Sequence, residues 1–79
     1  GEQVRKVLEC CSHPRTKQAI LAALGLAPVY LNYKRHIYPL LQSGLLELTI
    51  PDKPNSRLQK YKLTTKGRML LNRKKSIDA

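Results

Sequence analysis

Leu45-Leu46-Glu47-Leu48-Thr49-Ile50-Pro51-Asp52-Lys53-Pro54-Asn55-Ser56-Arg57-Leu58-Gln59-Lys60-Tyr61-Lys62-Leu63 is the stretch whose reading decides the fold. Leu46, Leu48 and Ile50 alternate with Glu47 and Thr49 at period two, which predicts a strand. A return strand is expected over Leu58–Leu63, with Tyr61 and Leu63 toward the core and Lys60 and Lys62 on the opposite face. Pro51–Arg57 between them is rich in turn residues. Its two prolines stiffen the tip and lower the entropy cost of presenting it to a partner. The segment therefore reads as a β-hairpin with a rigid, basic tip.

Upstream of the hairpin the period changes to that of helices. Val4, Val7, Leu8 and Cys11 fall on one face of a helix over Glu2–Cys11, which Ser12-His13-Pro14 ends. A second helix is expected over about Thr16–Leu24, with Ala19, Ile20, Ala23 and Leu24 as its apolar stripe and Gly25 as its left-handed stop. A third is expected over about Pro28–Ser43, with Pro28 in the first helical position and Gly44 at the end. Tyr30, Tyr33, Ile37, Leu40 and Leu41 trace its inner face, whereas Asn32, Arg35 and His36 share an outer one. Pro39 removes a backbone hydrogen bond and demands a kink or a restart there. Beyond the hairpin a last helix starts at Thr64 or Thr65, anchored by Met69, Leu70 and Leu71. Gly67 weakens it by about 1 kcal/mol relative to Ala, a cost that close packing on a strand would explain.

Two helices joined through a short Gly-containing turn match helix-turn-helix spacing, in which the second helix enters the major groove of DNA. With the hairpin behind that helix, the expected fold class is α+β. It is a winged helix-turn-helix with a three-helix core, a two-stranded β-hairpin wing and a C-terminal helix. One domain is expected over residues 2–71, followed by a basic, disordered tail over 72–79.

Composition narrows the function. The 79 residues suffice for one small domain. Fifteen Lys and Arg against five Asp and Glu give a net charge of +10, which favours a polyanionic partner. No apolar run approaches the roughly 20 residues that span a bilayer, and no signal peptide is visible, so no membrane partner is expected. The start at Gly1, without Met, is expected of a fragment of a longer protein or of a tag remnant. Cys10 and Cys11 are adjacent, a poor geometry for a disulfide, and fit a reduced, cytoplasmic setting. Cys-Cys-x-His over Cys10–His13 falls short of a four-ligand zinc set, so no metal and no cofactor is expected. The acids are scattered and no Gly-rich phosphate loop exists. The fragment is therefore not expected to be an enzyme or to take a small-molecule substrate, although a parent protein can carry an enzymatic region elsewhere.

The leading expectation is a module that binds double-stranded DNA. Asn32, Arg35 and His36 would face the major groove, since Arg and Asn suit the edges of G and A, and Lys34 would turn toward a phosphate. Lys53, Arg57, Lys60 and Lys62 on the wing, and Arg15 and Lys17 by the second helix, would contact the backbone. Each of these is, taken singly, equally readable as a solvated surface charge. The alternative is a protein-protein interaction module, a homodimer or a dock for the rest of the parent protein, using the Leu-rich hairpin, Tyr30 and Tyr38. RNA is a further possibility, although the aromatic strand motif of single-strand readers is missing.

Thr49-Ile50-Pro51-Asp52-Lys53-Pro54-Asn55-Ser56-Arg57-Leu58-Gln59-Lys60-Tyr61-Lys62-Leu63-Thr64-Thr65-Lys66-Gly67-Arg68, with Tyr38–Leu46 upstream, resembles a segment at the C-termini of two bacterial protein groups. One is the RecG-related transcriptional regulators with a Schlafen-like (divergent AAA) ATP-binding region, and the other is the Fic family. The match is good over about Leu40–Arg68 and loose over the first helices. The resemblance implies a C-terminal winged-helix domain of a larger bacterial regulatory protein, with a role in transcription regulation for the first group. It reaches the wing tip and its strands, and does not extend to Arg35 or His36.

Overall fold

Helix α1 spans Glu2–Cys10 and turns Val7 and Leu8 inward, with Cys11 buried just past its end. The computed structural model describes the backbone of residues 2–78 and the side chains of 2–73. Helix α2, Lys17–Ala23, starts where the Thr16 hydroxyl accepts from the Ala19 N–H at 3.1 Å. Such a cap contributes about 1 kcal/mol. Its buried residues are Ile20 and Leu21. Ala19 and Ala23, expected on the stripe, are exposed, because the face turned to the core runs through Ile20, Leu21 and Leu24 instead.

The long third helix of the sequence reading is two helices. Helix α3 spans Tyr30–His36 and α4 spans Tyr38–Gln42, with Ile37 between them at φ −106° and ψ −49°. Pro39 falls in the first turn of α4, where its missing N–H is tolerated, so the chain restarts instead of bending. Pro28 is not the first residue of α3, because Val29 is the N-cap. The turn is tied instead by the Asn32 side-chain amide, which donates to the Ala27 carbonyl at 2.9 Å. Gly25 and Gly44 close α2 and α4 at φ +75° and +77°, a region that favours glycine.

Strands β1, Leu46–Leu48, and β2, Tyr61–Leu63, pair antiparallel as Leu46↔Leu63, Glu47↔Lys62 and Leu48↔Tyr61. They are shorter than the period-two pattern suggests, because Thr49–Lys60 forms a turn-rich wing instead of a continued ladder. Tyr61 and Leu63 are buried and Lys60 and Lys62 exposed, as expected. Arg15 adds a bridge on the free edge of β2: its N–H donates to the Tyr61 carbonyl at 3.0 Å and its carbonyl accepts from the Tyr61 N–H at 2.7 Å. Tyr61 is thus paired on both sides, and the wing strand is stitched to the segment that leads into α2.

Helix α5 spans Thr65–Asp78. Leu71 is the buried anchor of α5, and Met69, expected to anchor it, is exposed. Gly67 does pack closely: a Cβ there would collide with the Leu45 carbonyl oxygen. The core joins Val7, Leu8 and Cys11 to Ile20, Leu21, Ile37, Leu40, Leu45, Leu46, Tyr61, Leu63 and Leu71. No residue of α3 is fully buried: Tyr33 packs half-buried against the core, and Tyr30, Leu31, Lys34 and Arg35 are exposed, so much of the helix is displayed. Tyr30, expected on the inner face, is exposed for this reason. The result is a small α+β fold of the winged-helix type.

Candidate nucleic-acid interface

The wing is shaped by one buried amide. The Gln59 Nε2 donates to the carbonyls of Ile50 at 2.6 Å and Lys53 at 2.9 Å, and its Oε1 accepts from the Ile50 N–H at 2.9 Å. Consecutive turns close inside this clamp, with Lys53 N–H on the Ile50 carbonyl and Ser56 N–H on that of Lys53. Lys53, Arg57 and Lys60 are left exposed on the loop so formed. Lys62 is not equivalent to them: its Nζ lies 3.8 Å from the Glu47 carboxylate, its partner across the ladder.

Lys17, in the first turn of α2, joins wing and helices. Together with Gln18 it lines a depression of about 120 Å³ against Arg57 and the wing tip. The same two residues line a second, of about 110 Å³, against Val29, Tyr30 and Tyr33 of the α3 side. Lys17 Nζ is 5.4 Å from the Tyr33 ring, and Lys34 Nζ is 4.1 Å from the Tyr38 ring, both within cation–π range.

All four tyrosines converge here, which the sequence did not reveal. The Tyr33 ring lies 6.3 Å from each of Tyr30, Tyr38 and Tyr61. Tyr30 and Tyr33 are one turn apart and their proximity follows from spacing. Tyr61 arrives from the other side of the wing, and nothing local in the sequence points to that contact. Burial, with a hydrogen bond to Tyr33 as the next cause, holds the Tyr61 phenol well above its usual range.

The expected base-reading trio is divided. The Asn32 amide nitrogen is engaged with the Ala27 carbonyl. Arg35 and His36 line a hollow of about 290 Å³ shared with Gln3 and Val4 of α1. Arg15 is held by its backbone against Tyr61, outside α2. The structure thus brings Lys17, Lys34 and Arg57 around the tyrosine cluster and sets Arg35 and His36 toward α1.

Ion pairs are few among the described residues. Among the described residues, the ion pairs join Arg5 to Glu2 and Glu9, and Lys62 to Glu47. Lys17, Lys34, Arg35, Lys53, Arg57 and Lys60 belong to none of them. No group of three potential metal ligands occurs among the described residues, and no described helix is long and apolar enough to cross a membrane. Cys10 and Cys11 form no disulfide. Burial first, and the neighbouring Cys10 second, push the Cys11 thiol up to about 12, against a lowering influence of Arg15. That is the opposite of an activated nucleophile.

Comparison with known proteins bears on this architecture. The model of the family "Filamentation induced by cAMP protein Fic-like, C-terminal domain" matches residues 2–64. A crystal structure of a Fic family protein from Desulfovibrio desulfuricans G20 is similar, with a TM-score of 0.72 and 28% sequence identity. The likeness covers 85% of this chain and 21% of that one, so the chain spans about a fifth of that protein's length. No curated protein matches. Of the two groups that the wing motif resembles, the matches support the Fic family and give no support to the RecG-related one. The matched region is the C-terminal, non-catalytic part of such proteins. Residues 2–64 carry the helix-turn-helix and wing that the match spans, and the chain belongs to the Fic-like C-terminal domain family.

Proposed function

We propose that this domain binds double-stranded DNA, as the C-terminal winged-helix module of a larger bacterial regulatory protein working in the cytoplasm. One observation carries the reading. Five cations on the helix-turn-helix and wing, Lys17, Lys34, Lys53, Arg57 and Lys60, lie outside the ion pairs that occupy Arg5 and Lys62. An unpaired basic surface on a displayed helix and an adjacent wing is the footprint of a phosphate backbone. A role in transcription regulation rests only on the wing's resemblance to the RecG-related regulators. The wing cations and Lys17 position the duplex, and α3 faces its groove.

The test is binding of the chain to a random-sequence duplex over a salt series. Log affinity is expected to fall linearly with log salt, with a slope between about −3 and −5. No binding at low salt would overturn the reading.

A second reading, docking onto protein, is favoured by a separate groove of about 420 Å³. Leu45, Met69 and Leu70 line it, between Lys66 and Arg73. Such an apolar floor with a basic rim suits an acidic protein partner, including a segment of the parent protein. Titration of the chain with the remainder of a Fic-type parent protein separates the two, since docking through α5 leaves the wing resonances unmoved.

A further inference from the structure

The residues that begin α3 are unusual for a surface. Ala27, Pro28, Val29, Tyr30 and Leu31 are all exposed, an uninterrupted apolar run. Val29 is 51% exposed, Tyr30 68% and Leu31 66%. A run of this kind on a surface marks either an error of design or a contact. It is not needed for folding, because α3 is anchored through the buried Ile37 and the half-buried Tyr33, and Val29, Tyr30 and Leu31 take no part in that core.

We propose that Val29, Tyr30 and Leu31 read thymine methyl groups in the major groove, so that the domain selects sites by apolar contact. The inference rests on the duplex-binding reading above. In a helix-turn-helix the first residues of the second helix are those that meet base edges. The C5-methyl of thymine is the apolar feature of that groove, and it pairs with apolar side chains. Polar reading at the same end is restricted, because the Asn32 amide nitrogen already donates to Ala27, and a bidentate contact with adenine needs it. Arg35 and His36 lie at the other end of α3, against α1.

Charge selects the occupant. Lys17 lines the same depression as Val29 and Tyr30, and Lys34 follows within one turn of helix. An apolar patch between cations fits an apolar group presented by a polyanion. A second copy of the chain would bring another net charge of +10 to the patch.

The experiment compares a thymine-rich duplex with the same duplex built with uracil in place of thymine, which removes only the methyl groups. The whole chain is used, with fluorescence anisotropy at low salt. Uracil substitution is expected to weaken binding about fourfold for each methyl buried. The double variant Tyr30→Ala and Leu31→Ala, both at exposed positions, is expected to bind the two duplexes alike. Equal affinity of the unaltered chain for both duplexes would overturn the proposal while leaving duplex binding intact, and would turn the patch over to a protein partner. Absence of binding to either duplex would overturn both.

Discussion

The Gln59 side chain closes the wing on Ile50 from both directions, donating to its carbonyl at 2.6 Å and accepting from its N–H at 2.9 Å. One buried amide thereby does the work of two missing ladder bonds at the point where the strands separate. Gln59→Leu keeps the volume, leaves the Ile50 N–H without its partner and strips one of two donors from each of the Ile50 and Lys53 carbonyls. It is expected to cost about 1–3 kcal/mol in urea unfolding. Hydrogen exchange should speed up at Ile50 and Lys53 first. Unchanged protection at both would show that the wing holds its shape without the clamp.

Gly67→Ala has an expected sign opposite to the usual one. In an ordinary helix interior the change gains about 1 kcal/mol. Here the new Cβ would collide with the Leu45 carbonyl oxygen and lie 3.2 Å from Leu63 Cδ2. Backbone cannot yield as a flexible side chain does, so a loss of about 1–3 kcal/mol is expected. Thermal melting decides it, and a raised midpoint would contradict the close approach of α5 to β1.

Cys10 and Cys11 should differ sharply toward a thiol reagent. Cys11 is fully buried with its thiol pushed up to about 12, whereas Cys10 is partly exposed. Near pH 8, one thiol is expected to react in the native protein and the second only on unfolding. Because the folded Cys11 thiol is held above its ordinary value of 9.0, its contribution to stability is full below about pH 9. It is lost as pH rises from there toward about 12, and the raised Tyr61 phenol works in the same direction. Stability that rises with pH over this window would refute the assignment.

On the duplex-binding reading, Lys17→Gln and Arg57→Gln should each reduce the salt slope by about 1, alike for all sequences. Lys62→Gln should change it less, since Glu47 already lies beside that amine at 3.8 Å. A larger effect at Lys62 than at Lys17 would mean that the duplex approaches the open face of the hairpin instead. Arg35→Ala provides the contrast with Lys53→Ala: its effect should be small and independent of sequence if α1, and not DNA, is its neighbour.

What the sequence by itself determined is what depends on neighbours along the chain. Period 3.6 in Val4–Cys11 and period two in Leu46–Leu63 are imposed by backbone geometry, and they sufficed for the helices, the hairpin and the α+β winged-helix class. The role of Gly67 was also legible, because a glycine inside a helix calls for a close contact. Pro39 signalled a break, but whether the chain would bend or restart depended on Ile37 fitting the core. Tertiary structure alone decided the rest. It displayed Tyr30 while packing only Tyr33 of α3 half-buried against the core, buried Gln59 to hold a loop, and drew Tyr61 to Tyr33 from the other side of the wing. It also engaged Asn32 with Ala27 and turned Arg35 and His36 toward α1. Those outcomes follow from which elements pack together, and a side chain's partner across the fold leaves no trace in the residues beside it.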